Sequence, residues 1–333
     1  MTLLARGRSA SRVPAVTKAV TLGTPTVQSS EIRIGTRGSP LALAQAEEVR
    51  ATLTAASGLD PARISFVPIR TTGDRITDRP IAEVGGKGLF TKEIDEALLA
   101  GRVDLGVHSA KDMATRLPEG IIIVACLERG DVRDAFVSPT VRRLVDLPAG
   151  AAIGTSSLRR AALALRARPD LVVVGLRGNV DTRVRKIAEG QAAATVLAAA
   201  GLARLGLGAR AASYLDPDEW LPAPGQGAIA ITARADDRAL RDRLEAIDDR
   251  ATSLALAAER AFLAVLDGSC RTPIGGLARI TGERLSFRGI IIKPNGSAAH
   301  EAIGEGIASD AARIGAEAAA VLARAGGPDF FAR

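Results

Sequence analysis

From residue 31 onward, short β-branched runs alternate with longer Ala- and Leu-rich stretches of helical period, the pattern of an α/β fold built on mostly parallel sheets. Residues 31–35 read as a strand. Thr36-Arg37-Gly38 then leads to Ser39 and Pro40, an N-cap followed by the residue best suited to the first helical position. Residues 151–154 repeat the scheme with a strand, a capping turn Thr155-Ser156-Ser157, and a helix over 158–168 that Pro169 ends. Residues 171–176 predict a buried strand, after which Arg177-Gly178-Asn179 turns the chain into a helix closed by Gly190. Residues 250–266 predict an amphipathic helix with Leu254, Ala258, Ala261 and Val265 on its apolar face. A strand over 285–292, the turn Pro294-Asn295-Gly296 and a Ser309-capped helix to Arg324 complete a small C-terminal α+β unit.

The first 30 residues stand apart. They hold Arg6, Arg8, Arg12 and Lys18, no acid and many Ser and Thr, which is transit-peptide composition; Pro14 and Pro25 interrupt any long amphipathic helix, so an unstructured extension reads equally well. The longest apolar runs, 121–127 and 192–200, fall short of the roughly 20 residues a membrane helix needs, so no membrane association is expected. With 47% hydrophobic and 24% charged residues the chain is not wholly disordered. Beyond the tail, 40 basic residues face 37 acidic ones, and aromatics make up only 3%, so neither a polycationic nor a base-stacking mode of nucleic-acid binding is expected. Two cysteines and two histidines supply neither a disulfide framework nor a metal cluster; a metal-free site in a reducing compartment is expected.

Candidate chemistry gathers where strands give way to helices. Helix starts present unpaired N–H groups and a positive dipole end, and are natural anion sites. Arg37, Arg159, Arg160, Arg177 and Arg183 lie at such junctions, where a cation opposes the macrodipole at roughly 0.3–1 kcal/mol each. Taken singly each reads as a solvated arginine; five together point to a polyanionic partner that guanidiniums could clamp. Gly85-Gly86-Lys87-Gly88 fails the P-loop pattern, since no glycine precedes Gly86 at the required spacing and Gly88 stands where Ser or Thr is needed. Lys87 could still close over an anion. Residues 105–107 read as a strand whose carboxyl end carries His108-Ser109-Ala110-Lys111-Asp112, where ligands bind in α/β sheets. Asp112 there is either a helix cap or a catalyst, and His108 a structural group. Cys126 falls in an apolar run and reads as core, whereas Cys270 sits on a Gly-Ser-Cys-Arg-Thr-Pro loop, as a surface thiol or as a thiolate favoured by Arg271.

In chain order, Thr36-Arg37-Gly38-Ser39-Pro40-Leu41-Ala42-Leu43, Gly85 to Phe90, His108 to Asp112, Gly154 to Arg160, Leu176-Arg177-Gly178-Asn179-Val180, Pro224-Gly225-Gln226-Gly227, and Cys270 before Pro273-Ile274-Gly275 resemble the porphobilinogen deaminase, or hydroxymethylbilane synthase, family. The resemblance runs from about residue 31 into the C-terminal unit. It implies two periplasmic-binding-protein-like (type II) α/β domains around a cleft, at 31–128 with 226–246 and at 129–225, plus a small C-terminal α+β domain at 247–333. It further implies a dipyrromethane cofactor on a thioether to Cys270, four porphobilinogen units condensed head to tail with loss of ammonia, and hydrolytic release of hydroxymethylbilane for tetrapyrrole (heme or chlorophyll) biosynthesis. The catalytic role falls to Asp112, an ionised carboxylate stabilising the cationic azafulvene left by deamination. Cofactor and substrate contacts fall to Arg37, Ser39, Lys87, Ser109, Lys111, Thr155, Ser156, Ser157, Arg159, Arg160, Arg177, Gly178, Arg183, Arg204 and Gln226, with no metal. Glu83, Ala110 and Ser269 depart from the family pattern, and the first of these removes a potential carboxylate contact. A cytoplasmic monomer is expected, or a plastid or mitochondrial protein if the tail is a transit peptide. The competing reading is a non-catalytic anion-binding protein of the same fold.

Overall fold

The computed structural model describes residues 31–75, 88–266, 272–327 and 330–331. The chain opens with β1 (Ile32–Arg37), α1 (Pro40–Ser57), β2 (Ile64–Ile69), a single turn α2 (Thr72–Arg75), α3 (Lys92–Leu99), β3 (Leu105–Ser109) and β4 (Ile121–Cys126). It continues through β5 (Asp134–Val137), β6 (Ala152–Gly154), α4 (Leu158–Ala167), β7 (Val172–Val174), α5 (Val180–Ala188), β8 (Ala194–Ala198), α6 (Ala199–Arg204) and β9 (Ser213–Tyr214). After β10 (Ile229–Arg234) and α7 (Arg238–Glu245) come α8 (Arg250–Val265), β11 (Ile274–Thr281), β12 (Arg284–Ile292), β13 (Ala299–Ile307) and α9 (Ala311–Gly326).

Two five-stranded sheets share one plan, β2-β1-β3-β10-β4 and β7-β6-β8-β5-β9. In each, the first three strands are parallel and the fourth runs against both of its neighbours. The expectation of mostly parallel sheets is therefore corrected: half the strand pairings are antiparallel. The cause is topological. Each reversed strand, β5 or β10, follows a segment that crosses from one sheet to the other, so the chain passes between the two lobes twice, after β4 and before β10.

The first lobe closes over Ile34, Leu53, Leu105, Ile229 and Leu244, all fully buried. The second is centred on Phe136, Ile153, Leu163 and Val196 and continues without a break into Leu277, Ile290 and Ile292 of the antiparallel third sheet β11-β12-β13. The C-terminal unit has its own centre, where the rings of Phe262 and Phe287 meet at 4.9 Å. Its β12–β13 turn rests on α4. Gly296 adopts φ +76°, and a Cβ there would lie 2.5 Å from the Arg166 nitrogen, so both the backbone angle and the contact demand glycine.

One buried carboxylate ties the crossings to this unit. Glu259 on α8 accepts from Arg129 Nη1 and Nη2 at 2.7 and 2.9 Å, from the Gly225 amide at 2.5 Å and from the Ala278 amide at 2.8 Å. Arg129 belongs to the first crossing, Gly225 to the second, and Ala278 to β11.

Three local expectations are revised. The 171–176 strand contracts to β7, a sheet edge with Val172 about half exposed, because only β6 flanks it. The buried face of α8 comprises Thr252, Ala255, Leu256, Ala258, Glu259 and Phe262, while Val265 is exposed. Alanine-rich helices leave the apolar stripe ambiguous, and Phe262 and the Glu259 bonds choose the face. Ser309 does not cap α9: residues 308–310 form a 3₁₀ turn, and Asp310 stands at the cap position with its carboxylate paired to Arg313 and no bond to a helix amide.

Candidate active site

The carboxyl ends of β1 and β3 bring the first group of expected residues together. One cavity is lined by Arg37, Gln45, Phe90, His108, Ser109 and Asp112. Gln45 and Ser109 also line an adjoining one, which adds Lys111 from the first lobe and Arg160, Arg183 and Arg204 from the second. Ser109 donates to Gln45 Oε1 at 3.0 Å and so holds the shared wall. Among the described residues, no hydrogen bond or ion pair engages the Asp112 carboxylate. His108 is buried, with Nε2 3.0 Å from the Thr232 hydroxyl; burial, helped by Arg260, pushes its pKa down to about 4.

The cationic side of the cleft is crowded. Burial pushes Lys111 down to about 8; Arg160 adds to the effect, and Asp112 opposes it. Burial also lowers Arg183, to about 10, with Arg160 again contributing. Both shifts record cations taken out of water, with the Arg160 charge adding a smaller push in the same direction.

Several arginines have partners inside the protein, which corrects the expectation that an external polyanion must supply them. Arg37 pairs with Asp74 and lies over the Phe90 ring, 4.4 Å from its centroid. Arg204 donates to Glu48 at 2.9 Å and to the Gly227 carbonyl at 3.3 Å, linking α6 of the second lobe to α1 of the first. Arg159 and Arg160 both donate to Asp134, at 2.8 and 2.7 Å. Burial alone would raise the Asp134 carboxyl, but the two guanidiniums hold it well below the usual range. One carboxylate against two guanidiniums leaves this group with a net positive charge.

The hydroxyls at the helix starts are engaged locally. Ser39 caps α1 through the Ala42 amide at 3.3 Å, and Ser157 caps α4 through the Arg160 amide at 3.4 Å. Thr155 accepts from the Ser157 amide, and Ser156 donates to the Leu176 carbonyl. Gly178, at φ +122°, offers its carbonyl to Arg183 Nε at 2.8 Å, and the Arg177 carbonyl accepts from Lys186. The Gln226 amide donates to Val132, Arg133 and Asp134. Ser39, Thr155, Ser156, Ser157, Arg177, Gly178 and Gln226 line neither cavity, and nor does Arg159. Cys270, Lys87, Glu83 and Ser269 lie outside the described residues.

Sequence reasoning missed Asp74, Glu48, Asp134 and Gln45. None of them belongs to a recognisable motif. The available signal was arithmetical: a run of arginines at helix starts implies acids somewhere in the fold, without saying which.

Two family models match the chain: porphobilinogen deaminase, dipyromethane cofactor binding domain, over residues 32–242, and porphobilinogen deaminase, C-terminal domain, over 253–324. Porphobilinogen deaminases of Nitrobacter winogradskyi and Nitrobacter hamburgensis are each 58% identical over 298 residues, covering 90% of this chain and 94% of theirs. Among solved structures, the methionine-binding protein MetQ overlaps 65% of this chain and 89% of its own at 16% identity and a TM-score of 0.41.

Proposed function

The chain belongs to the porphobilinogen deaminase family, and from that membership we infer its chemistry: it joins four porphobilinogen units head to tail with loss of ammonia and releases hydroxymethylbilane by hydrolysis. It is a transferase of tetrapyrrole biosynthesis with a dipyrromethane cofactor. The observation that best supports this reading is the cleft itself, where Lys111, Arg160, Arg183 and Arg204 converge on one cavity beside Asp112.

That donor set fits the group. Each pyrrole carries two carboxylate arms, and the lowered values of Lys111 and Arg183 mark cations that gain from an anion brought into the cleft. Bound through the Cys270 sulfur, the dipyrromethane supplies the pyrrole carbon to which the first substrate unit is joined. Lys111, Arg160, Arg183 and Arg204 neutralise acetate and propionate arms. Arg37 and Ser109 address substrate from the first-lobe wall. Lys87, Ser39, Thr155, Ser156, Ser157, Arg159, Arg177, Gly178 and Gln226 complete the proposed contacts; the Ser39, Thr155 and Ser157 hydroxyls accept amide bonds and can donate their O–H to a carboxylate while keeping them.

Asp112 is the proposed catalytic group. Its carboxylate can accept the substrate pyrrole N–H and offset the positive charge that develops as ammonia departs, without first breaking a protein contact. The three-part division of the chain at 31–128 with 226–246, 129–225 and 247–333 is part of this proposal; it follows the three sheets and puts the cleft between the first two parts. The proposed protein is a monomer of the cytoplasm. Among the described residues no helix is long and apolar enough to cross a membrane.

Incubation with porphobilinogen, then acidification and oxidation, is expected to give uroporphyrin absorbance. Intact mass is expected to exceed the bare chain by one dipyrromethane in the parent and to equal it in Cys270→Ala. Turnover by Cys270→Ala at the parental rate would refute the attachment.

A further inference from the structure

Asp134, at the first position of β5, is wholly buried and receives four side-chain donors: Arg159 Nη2 at 2.8 Å, Arg160 Nη2 at 2.7 Å, Trp220 Nε1 at 2.9 Å and Gln226 Nε2 at 2.8 Å. The two arginines are the second and third residues of α4, and Gln226 lies in the second crossing. The cluster therefore joins the start of one helix, the first strand of the second sheet and the segment that returns to the first lobe.

The partners are not equivalent. Arg159 spends its other terminal nitrogen on the Leu221 carbonyl at 2.7 Å and lines neither cavity. Among the described residues Arg160 has only the Asp134 bond for its guanidinium, and it lines the cavity with Lys111, Arg183 and Arg204. Three polar atoms of the cluster, Arg159 Nε, Arg160 Nε and Gln226 Oε1, are buried without a partner among the described residues. A long side chain with one anchoring bond is aimed by that bond. A guanidinium misplaced by an ångström cannot meet a carboxylate in forked geometry.

We propose that Asp134 is a positioning residue of this enzyme: it fixes the Arg160 guanidinium toward the cleft, with Arg159 as the buried counter-cation, and so prepares the chain to take up its dipyrromethane. The inference rests on the function proposed above. Asp134 itself touches neither substrate nor cofactor.

Asp134→Asn keeps the shape and removes the charge, while Asp134→Glu keeps the charge and shifts the carboxylate by a methylene. Leu244→Ala, in the first-lobe core far from the cluster, serves as a control for lost stability. Each chain is produced without cofactor, checked for a folded circular dichroism spectrum, and given porphobilinogen below its melting temperature. Intact mass then reads the fraction that carries the dipyrromethane.

Both Asp134 variants are expected to load at least tenfold more slowly than the parent and the control. Loading of either folded variant at the control's rate overturns the proposal, and normal loading of Asp134→Glu alone would reduce the role to simple charge compensation, which overturns it too. A parent that takes up no pyrrole would instead refute the function it rests on.

The parent also tests the idea without any substitution. Trp220 is the only tryptophan, and its indole shares the Asp134 carboxylate with Arg160. Its emission is expected to shift when the cofactor is taken up. An emission spectrum unchanged in position and intensity on loading overturns the coupling even if neither variant folds.

Discussion

Lys111 offers a quantitative test of the cleft's electrostatics. Its ammonium is crowded by burial and by Arg160, and its pKa falls from the ordinary 10.5 to about 8. At pH 7 about nine-tenths of the chains carry a charged Lys111, at pH 9 about one-tenth, where an ordinary lysine stays above about 95% charged. If the charged form is what receives a carboxylate arm, cofactor loading of the empty protein falls about tenfold between pH 7 and pH 9. A bound carboxylate favours the ammonium, so turnover of the loaded enzyme holds to higher pH than loading does. The assay is the loading rate by intact mass from pH 6.5 to 9.5, in parallel with Lys111→Arg, whose guanidinium stays charged throughout. Stability moves the other way. Because the folded value lies below the unfolded one, the unfolded chain holds the extra proton between about pH 8 and 10.5; the penalty is fully present below pH 8 and relieved as pH rises through that window. A loading rate flat to pH 9, or an inflection that persists in Lys111→Arg, would refute the reasoning.

Three further outcomes follow from particular contacts. Asp112→Asn is expected to lower kcat by about 10²–10³-fold while changing stability by no more than about 0.5 kcal/mol, since the carboxylate makes no hydrogen bond or ion pair among the described residues; a melt and a progress curve check both halves. Glu259→Ala strands Arg129 and two backbone amides, and denaturant unfolding is expected to show a loss of about 3–5 kcal/mol. Gly296→Ala forces a Cβ against α4 at a left-handed φ and is expected to cost about 1–3 kcal/mol, read by thermal unfolding, with Gly58→Ala, where nothing crowds the Cβ, as the milder comparison.

The elements that carry the site were legible because their signals are local. Ser39-Pro40 and the Thr155-Ser156-Ser157 turn fix helix starts through bonds that span three residues, and the structure keeps both helices. Asp134 was invisible for the opposite reason: its meaning comes from Arg159, Trp220 and Gln226, 25 to 92 residues away in sequence. The reversed strands escaped notice likewise, because strand direction in a sheet depends on where the chain has come from and not on the residues of the strand. The buried stripe of α8 was misread because alanine satisfies several faces equally well; a carboxylate at Glu259, an unpromising core residue by composition, turned out to define the inward side.

The unbroken run of apolar contacts from Phe136 and Trp220 into Leu277, Ile290 and Ile292 makes the C-terminal unit continuous with the lobe it leans on. A chain cut at residue 247 would bare that lobe's interior to water, so this unit cannot be shed like a detachable arm. Amides of β11 and β12 are expected to exchange their hydrogens in step with those of β5 and β8, one melting event for both.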